Sequence, residues 1–150
     1  MKKLLKPYII SASIFIWIGF VGAISFMEAW LKFKATGVTQ KIGLAIGSLV
    51  FNALNKVELV IATIIIIVIL NNKTLLKKKL FRSLLLPFSI LVFQSFYLLP
   101  ILDERVQLII TNMPVKQTYD HFLYVFLEFI KVLALLIIGI QILHKNEYTY

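Results

Sequence analysis

Four charged side chains lie in the middle of segments that are otherwise as apolar as membrane-spanning helices. Lys56 and Glu58 lie in one such segment, and Glu128 and Lys131 lie in another. A charged side chain at the bilayer centre costs about 2.5–3.5 kcal/mol on insertion scales, so it persists where a partner or a function offsets that cost. Two acids and two bases at similar depth therefore predict mutual neutralisation inside a helix bundle.

Four apolar stretches are long enough to cross about 30 Å of hydrocarbon, which requires about 20 helical residues. They run approximately over residues 7–30, 43–70, 80–102 and 119–143. The hydrophobic share of 60% also exceeds that of soluble domains. A cleaved signal peptide is the alternative for the first stretch, but its apolar character continues past the small-residue site at Ala23. The sequence predicts an all-α fold, a single four-transmembrane-helix bundle spanning residues 1–150.

Basic residues are distributed unequally between the two ends of these helices. One side carries Lys2, Lys3, Lys6, Lys73, Lys77, Lys78, Lys79, Arg82 and Lys145, and the other carries Lys32, Lys34, Lys41, Arg105 and Lys116. Because cytoplasmic loops are enriched in Lys and Arg, the richer side is expected to be cytoplasmic. The protein would then lie in a bacterial cytoplasmic membrane with both termini in the cytoplasm. The net charge of +9 forms no continuous basic face, so no nucleic-acid partner is expected.

The segment that follows the third stretch carries an apolar run too short to span the bilayer. We expect a short interfacial helix or re-entrant turn between helices 3 and 4, after an exit at Pro100 and ending at Asn112 and Pro114. Such a segment would lie over the outer mouth of the bundle.

Polar residues in the spans predict an outward-facing pocket. In the fourth segment His121, Tyr124, Glu128 and Lys131 share an arc of about 80° on a helix. The pocket residues are expected to be Asn52, Asn55, Lys56, Glu58, Gln94, Tyr124, Glu128 and Lys131, with Glu28, Asp103, Arg105 and His121 at its rim. The depths of these residues overlap, which favours Lys131 with Glu58 and Lys56 with Glu128 as ion pairs. A purely structural lock on helix register is an equally weighted alternative.

Several kinds of chemistry find no support in the sequence. The absence of Cys excludes disulfides, thiolate metal ligands and Cys nucleophiles. No Gly-rich phosphate loop, nucleophile elbow or helical pair of metal-binding residues is present. Asp120 beside His121 stands at a helix start, where a carboxylate favours the helix dipole rather than indicating a metal site. No cofactor or metal is expected.

The segments SFMEAWLKFKATGVT, GLAIGSLVFNALNKVE and LLPILDERVQLII, followed by H-x-x-Y-x-x-x-E-x-x-K from His121 to Lys131, form a pattern that extends over most of the chain. In this layout the chain resembles the small four-helix bacterial membrane proteins of uncharacterised function, whose eukaryotic relatives are small transmembrane proteins linked to drug resistance. The resemblance implies a four-helix membrane protein and no reaction.

The sequence leaves three functional hypotheses. The first is a small membrane protein whose polar pocket binds or passes a small solute or ion, as a homo-oligomer or within a complex. The second is a non-catalytic accessory or assembly subunit of a larger membrane complex. The third is an intramembrane enzyme that uses Glu58 or Glu128 as its acid–base group.

Overall fold

The computed structural model describes the backbone of residues 2–71 and 78–147, and this part of the chain is helical apart from short connections. Four helices are long and apolar enough to cross a membrane, namely Tyr8–Lys34, Gln40–Leu70, Leu80–Ile110 and Asp120–His144. We refer to them as the first to fourth helices. The predicted all-α fold is confirmed, with four helices that are long and apolar enough to span a membrane. Residues 72–77, which include Lys73 and Lys77 of the side expected to be cytoplasmic, lie outside the described residues.

The first and third helices each contain a π-helical turn. The first is α-helical over Lys2–Val21, π-helical over Gly22–Glu28, and ends as Ala29–Leu31 and a 3-10 turn, Lys32–Lys34. The third is α-helical over Lys78–Phe93, π-helical over Gln94–Leu98, and α-helical again over Leu99–Ile110. The second helix is Gln40–Leu70 and the fourth is Asp120–Glu147. π-turns inside α-helices occur frequently at functional sites.

The second helix begins three residues earlier than the apolar pattern predicts. Thr39 caps it, because its hydroxyl accepts a hydrogen bond from the Ile42 backbone N–H at 3.4 Å. Gly43 lies in the first turn, where a Cβ atom would come within 2.1 Å of the Phe33 ring. The glycine therefore allows the end of the first helix to pack directly against the start of the second.

The predicted interfacial segment between helices 3 and 4 is wrong. The chain does not leave the helix at Pro100 but continues helically to Ile110. Proline lacks a backbone N–H, and here it lies in the first turn after the π-turn, where the altered hydrogen-bond register accommodates it. The apolar run after Asp103 is thus the last part of the third helix.

The predicted stop at Asn112 is confirmed. Asn112 has a φ of 59°, in the left-handed region. The Asn112 N–H donates to the Ile109 carbonyl at 3.2 Å, and the Met113 N–H donates to the Leu108 carbonyl at 2.9 Å. This is the Schellman arrangement, which satisfies carbonyls at the end of a helix.

The four helices form a ring in which the third helix changes neighbours along its length. Its first half packs chiefly on the fourth helix, whereas its last part, Leu99–Ile110, packs chiefly on the second. The first helix completes the ring by packing on the second and the fourth. The third and fourth helices therefore separate towards the end that carries residues 35–39 and 111–119, which we call the loop face.

The opposite half of the bundle, near the chain termini, has an apolar core. It is filled by buried side chains from all four helices: Ile10, Ile14, Ile65, Ile69, Leu84, Leu91, Leu135 and Ile138. Polar side chains replace this core at mid-depth. The fold thus stacks an apolar layer, a polar layer and, beneath the loop face, a cavity.

Candidate functional site: a buried charge cluster and the cavity beside it

The charge cluster consists of Glu58, Glu128 and Lys131, each with 0% exposure. The Lys131 Nζ atom lies 2.5 Å from Glu58 Oε1 and 3.1 Å from Glu128 Oε1. The predicted pairing of Lys131 with Glu58 is confirmed. Since Glu128 and Lys131 are three residues apart on one helix, the Glu58 contact is the one that joins two helices.

Two further helices hold the charge cluster through hydrogen bonds. From the third helix, the Gln94 side-chain oxygen accepts from Lys131 Nζ at 2.8 Å, while its amide nitrogen donates to the Tyr124 carbonyl at 3.2 Å. From the first helix, the Trp17 indole N–H donates to Glu58 Oε1 at 2.6 Å. All four helices therefore meet at one ammonium and one carboxylate.

Trp17 is the site residue that the sequence interpretation missed. An indole N–H that is buried needs an acceptor, and the sequence offers few acceptors at this depth. The need of the Trp17 indole N–H for an acceptor could therefore have predicted its contact with Glu58.

The charge cluster carries an excess of acceptors. It contains two carboxylates and one ammonium, and Glu58 Oε2 and Glu128 Oε2 have no hydrogen-bond partner. The Tyr124 hydroxyl lies beside the Glu128 carboxylate, although no hydrogen bond of ordinary geometry joins them. Buried polar groups are normally paired, so unpaired atoms at one place mark a strained or functional location.

The predicted pair of Lys56 with Glu128 is wrong. Lys56 is exposed on the outer surface of the second helix, whereas Glu128 is buried against Lys131. The cause is helical geometry: Lys56 precedes Glu58 by two residues, which rotates it by about 200° away from the bundle interior. Asn55 does face inward, and its side-chain amide donates to the Ser95 hydroxyl at 2.6 Å.

Asp103 forms a separate polar contact between the second and third helices. Its two carboxylate oxygens accept from the Ser48 hydroxyl at 2.6 Å and from the Asn52 amide at 2.7 Å. The Asn52 amide also donates to the Ser48 backbone carbonyl at 2.9 Å. Both oxygens of Asp103 are therefore committed to neighbouring side chains.

The cavity has a volume of about 250 Å³ and lies between the helices where the third and fourth separate. Its polar lining residues are Lys32, Ser48, Asp103, Arg105, His121 and Tyr124, and Phe33, Phe51 and Leu102 are among the apolar ones. Of the predicted pocket residues, Tyr124 lines this cavity. Glu58, Glu128 and Lys131 form the charge cluster next to it, Gln94 is hydrogen-bonded to that cluster, and Lys56 lines a different surface.

The predicted rim residues form two ion pairs at the cavity. Glu28 pairs with Lys32 at 3.1 Å. Of these two residues, Lys32 borders the cavity and Glu28 does not. Arg105 pairs with Asp120 at 3.4 Å, and the Thr118 hydroxyl also donates to Asp120. The Lys32 ammonium additionally lies 5.6 Å from the centre of the Phe51 ring.

Across residues 8–71 and 80–144, whose side chains the structure describes, no three His, Asp or Glu side chains converge as metal ligands would. No protein family model matches the chain, and no curated protein or solved structure matches it either. The resemblance to small four-helix bacterial membrane proteins remains an expectation from the sequence pattern, and the function has to be argued from the site itself.

Proposed function

We propose that this membrane protein binds a small solute, with an apolar body and an anionic group, in the cavity beneath the loop face. The observation that carries the proposal is the balance of donors and acceptors on the cavity wall. The Lys32 ammonium and the Arg105 guanidinium together carry eight N–H donors. The two ion pairs use a minority of them. The carboxylate in the wall, Asp103, has both oxygens occupied. The N–H groups of Lys32 and Arg105 beyond these ion-pair contacts remain available to an anionic group.

The walls suggest the shape of the solute. The aromatic rings of Phe33, Phe51 and Tyr124 contribute flat apolar surface, and a few polar side chains lie in the same wall. This composition is typical of pockets for small organic molecules. A volume of about 250 Å³ is sufficient for a compound of about the size of substituted benzene, since cavities of about 150 Å³ hold benzene itself.

Binding is favoured over passage by the apolar layer between the charge cluster and the terminal end of the bundle. Ile14, Ile65, Leu84 and Leu135 are each 0% exposed there. A charged solute that reached Tyr124 would have to desolvate fully to go further. The charge cluster then has the role of fixing the four helices around the cavity floor.

The position of the carboxylates argues against the enzymatic hypothesis. Glu58 and Glu128 do not line the cavity and are fully buried behind Tyr124. A general acid or base has to come within hydrogen-bond reach of the reacting group. The accessory-subunit hypothesis is favoured by a different observation, the exposure of Lys56, which is treated below.

The surrounding membrane and the oligomeric state are part of the proposal. The charge asymmetry of the sequence supports a bacterial cytoplasmic membrane with both termini inside. The loop face, and with it the cavity, would then be directed outward. We include assembly as a homo-oligomer or with other membrane subunits, because buried charges and small residues are common in such assemblies.

Equilibrium dialysis tests the proposal with three probes of similar size: benzoate, benzylamine and benzyl alcohol. The full chain is placed in phosphatidylcholine nanodiscs, and probe taken up by empty nanodiscs is subtracted. Benzoate should bind at least about tenfold more tightly than benzylamine, a difference of about 1.4 kcal/mol. Arg105→Gln should reduce this preference, whereas Lys116→Gln, in the exposed loop, should not. Equal binding of benzoate and benzylamine would overturn the proposal.

A further inference from the structure

Lys56 lies on the lipid-facing surface of the second helix, at its centre. The helix runs from Gln40 to Leu70, so Lys56 lies roughly 21–24 Å from either end at 1.5 Å per residue. The side chain is exposed, and no ion pair or hydrogen bond joins it to any described residue. Charged residues within transmembrane segments almost always face the bundle interior or a partner.

The lysine cannot reach water by extending along the helix. The hydrocarbon layer is about 30 Å thick, so a residue at the middle of the span is separated from either interface by far more than the length of a four-methylene stem. Snorkelling serves lysines near the ends of helices. A partner within the membrane is therefore required to compensate the ammonium.

A shallow groove beside Lys56 indicates where such a partner packs. It lies between the first and second helices, has a volume of about 280 Å³, and is lined by Ile16, Phe20, Lys56, Val57, Val60 and Ile61. Apart from Lys56 these side chains are apolar. A helix that lay in the groove would contact apolar surface along its length and meet one cation at mid-depth.

A second copy of this chain does not provide the matching anion. The chain has seven Asp and Glu residues. Glu58 and Glu128 lie at the right depth but are fully buried around Lys131. Glu28, Asp103, Glu104 and Asp120 lie towards the loop face, and Glu147 ends the fourth helix. Homo-oligomerisation alone would leave Lys56 unpaired.

We propose that the groove beside Lys56 docks a transmembrane helix of another protein that carries one Asp or Glu near its centre. Charge complementarity selects the partner, and close packing against Ile16, Phe20 and Val60 holds it. The acid is required at mid-membrane depth, since an acid near either end would leave both charges separated. This interaction is independent of the cavity and of its solute.

The test measures energy transfer between the labelled full chain and labelled synthetic helices in phosphatidylcholine vesicles. The helices are Leu/Ala sequences that differ at the central position, which is Asp, Leu or Lys. The wild-type chain should bind the Asp helix at least about tenfold more tightly than the Leu helix. Lys56→Met should abolish that preference, and Lys56→Glu should transfer it to the Lys helix. The control Lys34→Met removes an exposed cation at the end of the first helix and should change nothing.

Four outcomes would overturn the proposal. The first is equal binding of the Asp and Leu helices by the wild-type chain. The second is a preference for the Asp helix that survives in Lys56→Met. The third is loss of the preference when phosphatidylglycerol is added, which would make a lipid headgroup the occupant. The fourth is self-association of labelled chains that depends on Lys56, which would make a second copy the occupant.

Discussion

The Lys131 ammonium and the Glu58 carboxylate lie 2.5 Å apart in the middle of the bundle, and both side chains are completely buried. Their contact links the fourth helix to the second, and Trp17 and Gln94 extend it to the first and third. A buried pair of this kind contributes to stability only as long as both partners remain, because removing one leaves the other charge uncompensated.

Removal of Lys131 alone should therefore destabilise the protein strongly. We expect Lys131→Met to cost about 3–5 kcal/mol, since two carboxylates would remain buried without a cation. Adding Glu58→Leu to this variant should restore part of the lost stability. Adding Glu128→Gln to the resulting double variant should restore more. Unfolding in mixed micelles at increasing denaturant measures each step. If Lys131→Met unfolded at the same denaturant concentration as the parent, the ion pairs would have no role in stability.

The indole N–H of Trp17 provides a second, smaller test. Trp17→Phe keeps the ring that stacks on Phe88 but removes the donor to Glu58 Oε1. Loss of a buried hydrogen bond to a charged group should cost about 1.5–3 kcal/mol. Trp30→Phe is the matched control, because Trp30 is 52% exposed. The same unfolding assay should show no loss for Trp30→Phe, and an equal loss in both variants would contradict the assignment.

The contact between Asp103 and the second helix should also be measurable. Asp103→Ala removes the acceptor of Ser48 and Asn52, and we expect a loss of about 1–3 kcal/mol because two partly buried donors lose their acceptor. The neighbouring Glu104 is exposed, so Glu104→Ala should be close to neutral. Indistinguishable unfolding of these two variants would show that Asp103 does not join the helices.

The direction of insertion is a prediction that reporter fusions can test. A reporter fused after Tyr150, and another within residues 73–79, should both be active in the cytoplasm, because this side carries more Lys and Arg. A reporter near Met113 should be active outside. An external signal from the 73–79 fusion would reverse the orientation and direct the cavity towards the cytoplasm.

The sequence allowed the buried cluster to be predicted more completely than the helix ends. Glu128 and Lys131 share one face of the fourth helix, and Glu58 lies at a similar depth on the second, so spacing and depth together allowed their contact to be predicted. The same rule rotates Lys56 away from Glu58, so the prediction that both line one pocket is wrong for Lys56. The continuation of the third helix past Pro100 depends on the π-turn at Gln94–Leu98, for which the residues themselves carry no clear pattern.

The cavity could not be located from the sequence, for a physical reason. It exists because the third helix moves from the fourth helix to the second along its length. That change depends on the packing of all four helices and not on the pattern of any one of them. The rim residues Asp103, Arg105 and His121 were nevertheless predicted from their position near the helix ends, and they line the cavity.

The central claim is that the cavity itself binds the solute, and cavity filling tests it most directly. Gly47 lines the cavity, and a Cβ atom there would lie 2.9 Å from Lys32 Nζ, the far end of a flexible side chain that can move. Gly47→Leu should therefore fold and fill the space. Gly19 has open space around it, so Gly19→Leu is the matched control. In equilibrium dialysis, Gly19→Leu should bind benzoate like the parent, and Gly47→Leu should lose binding by about tenfold or more. Undiminished benzoate binding by a folded Gly47→Leu variant would contradict the account.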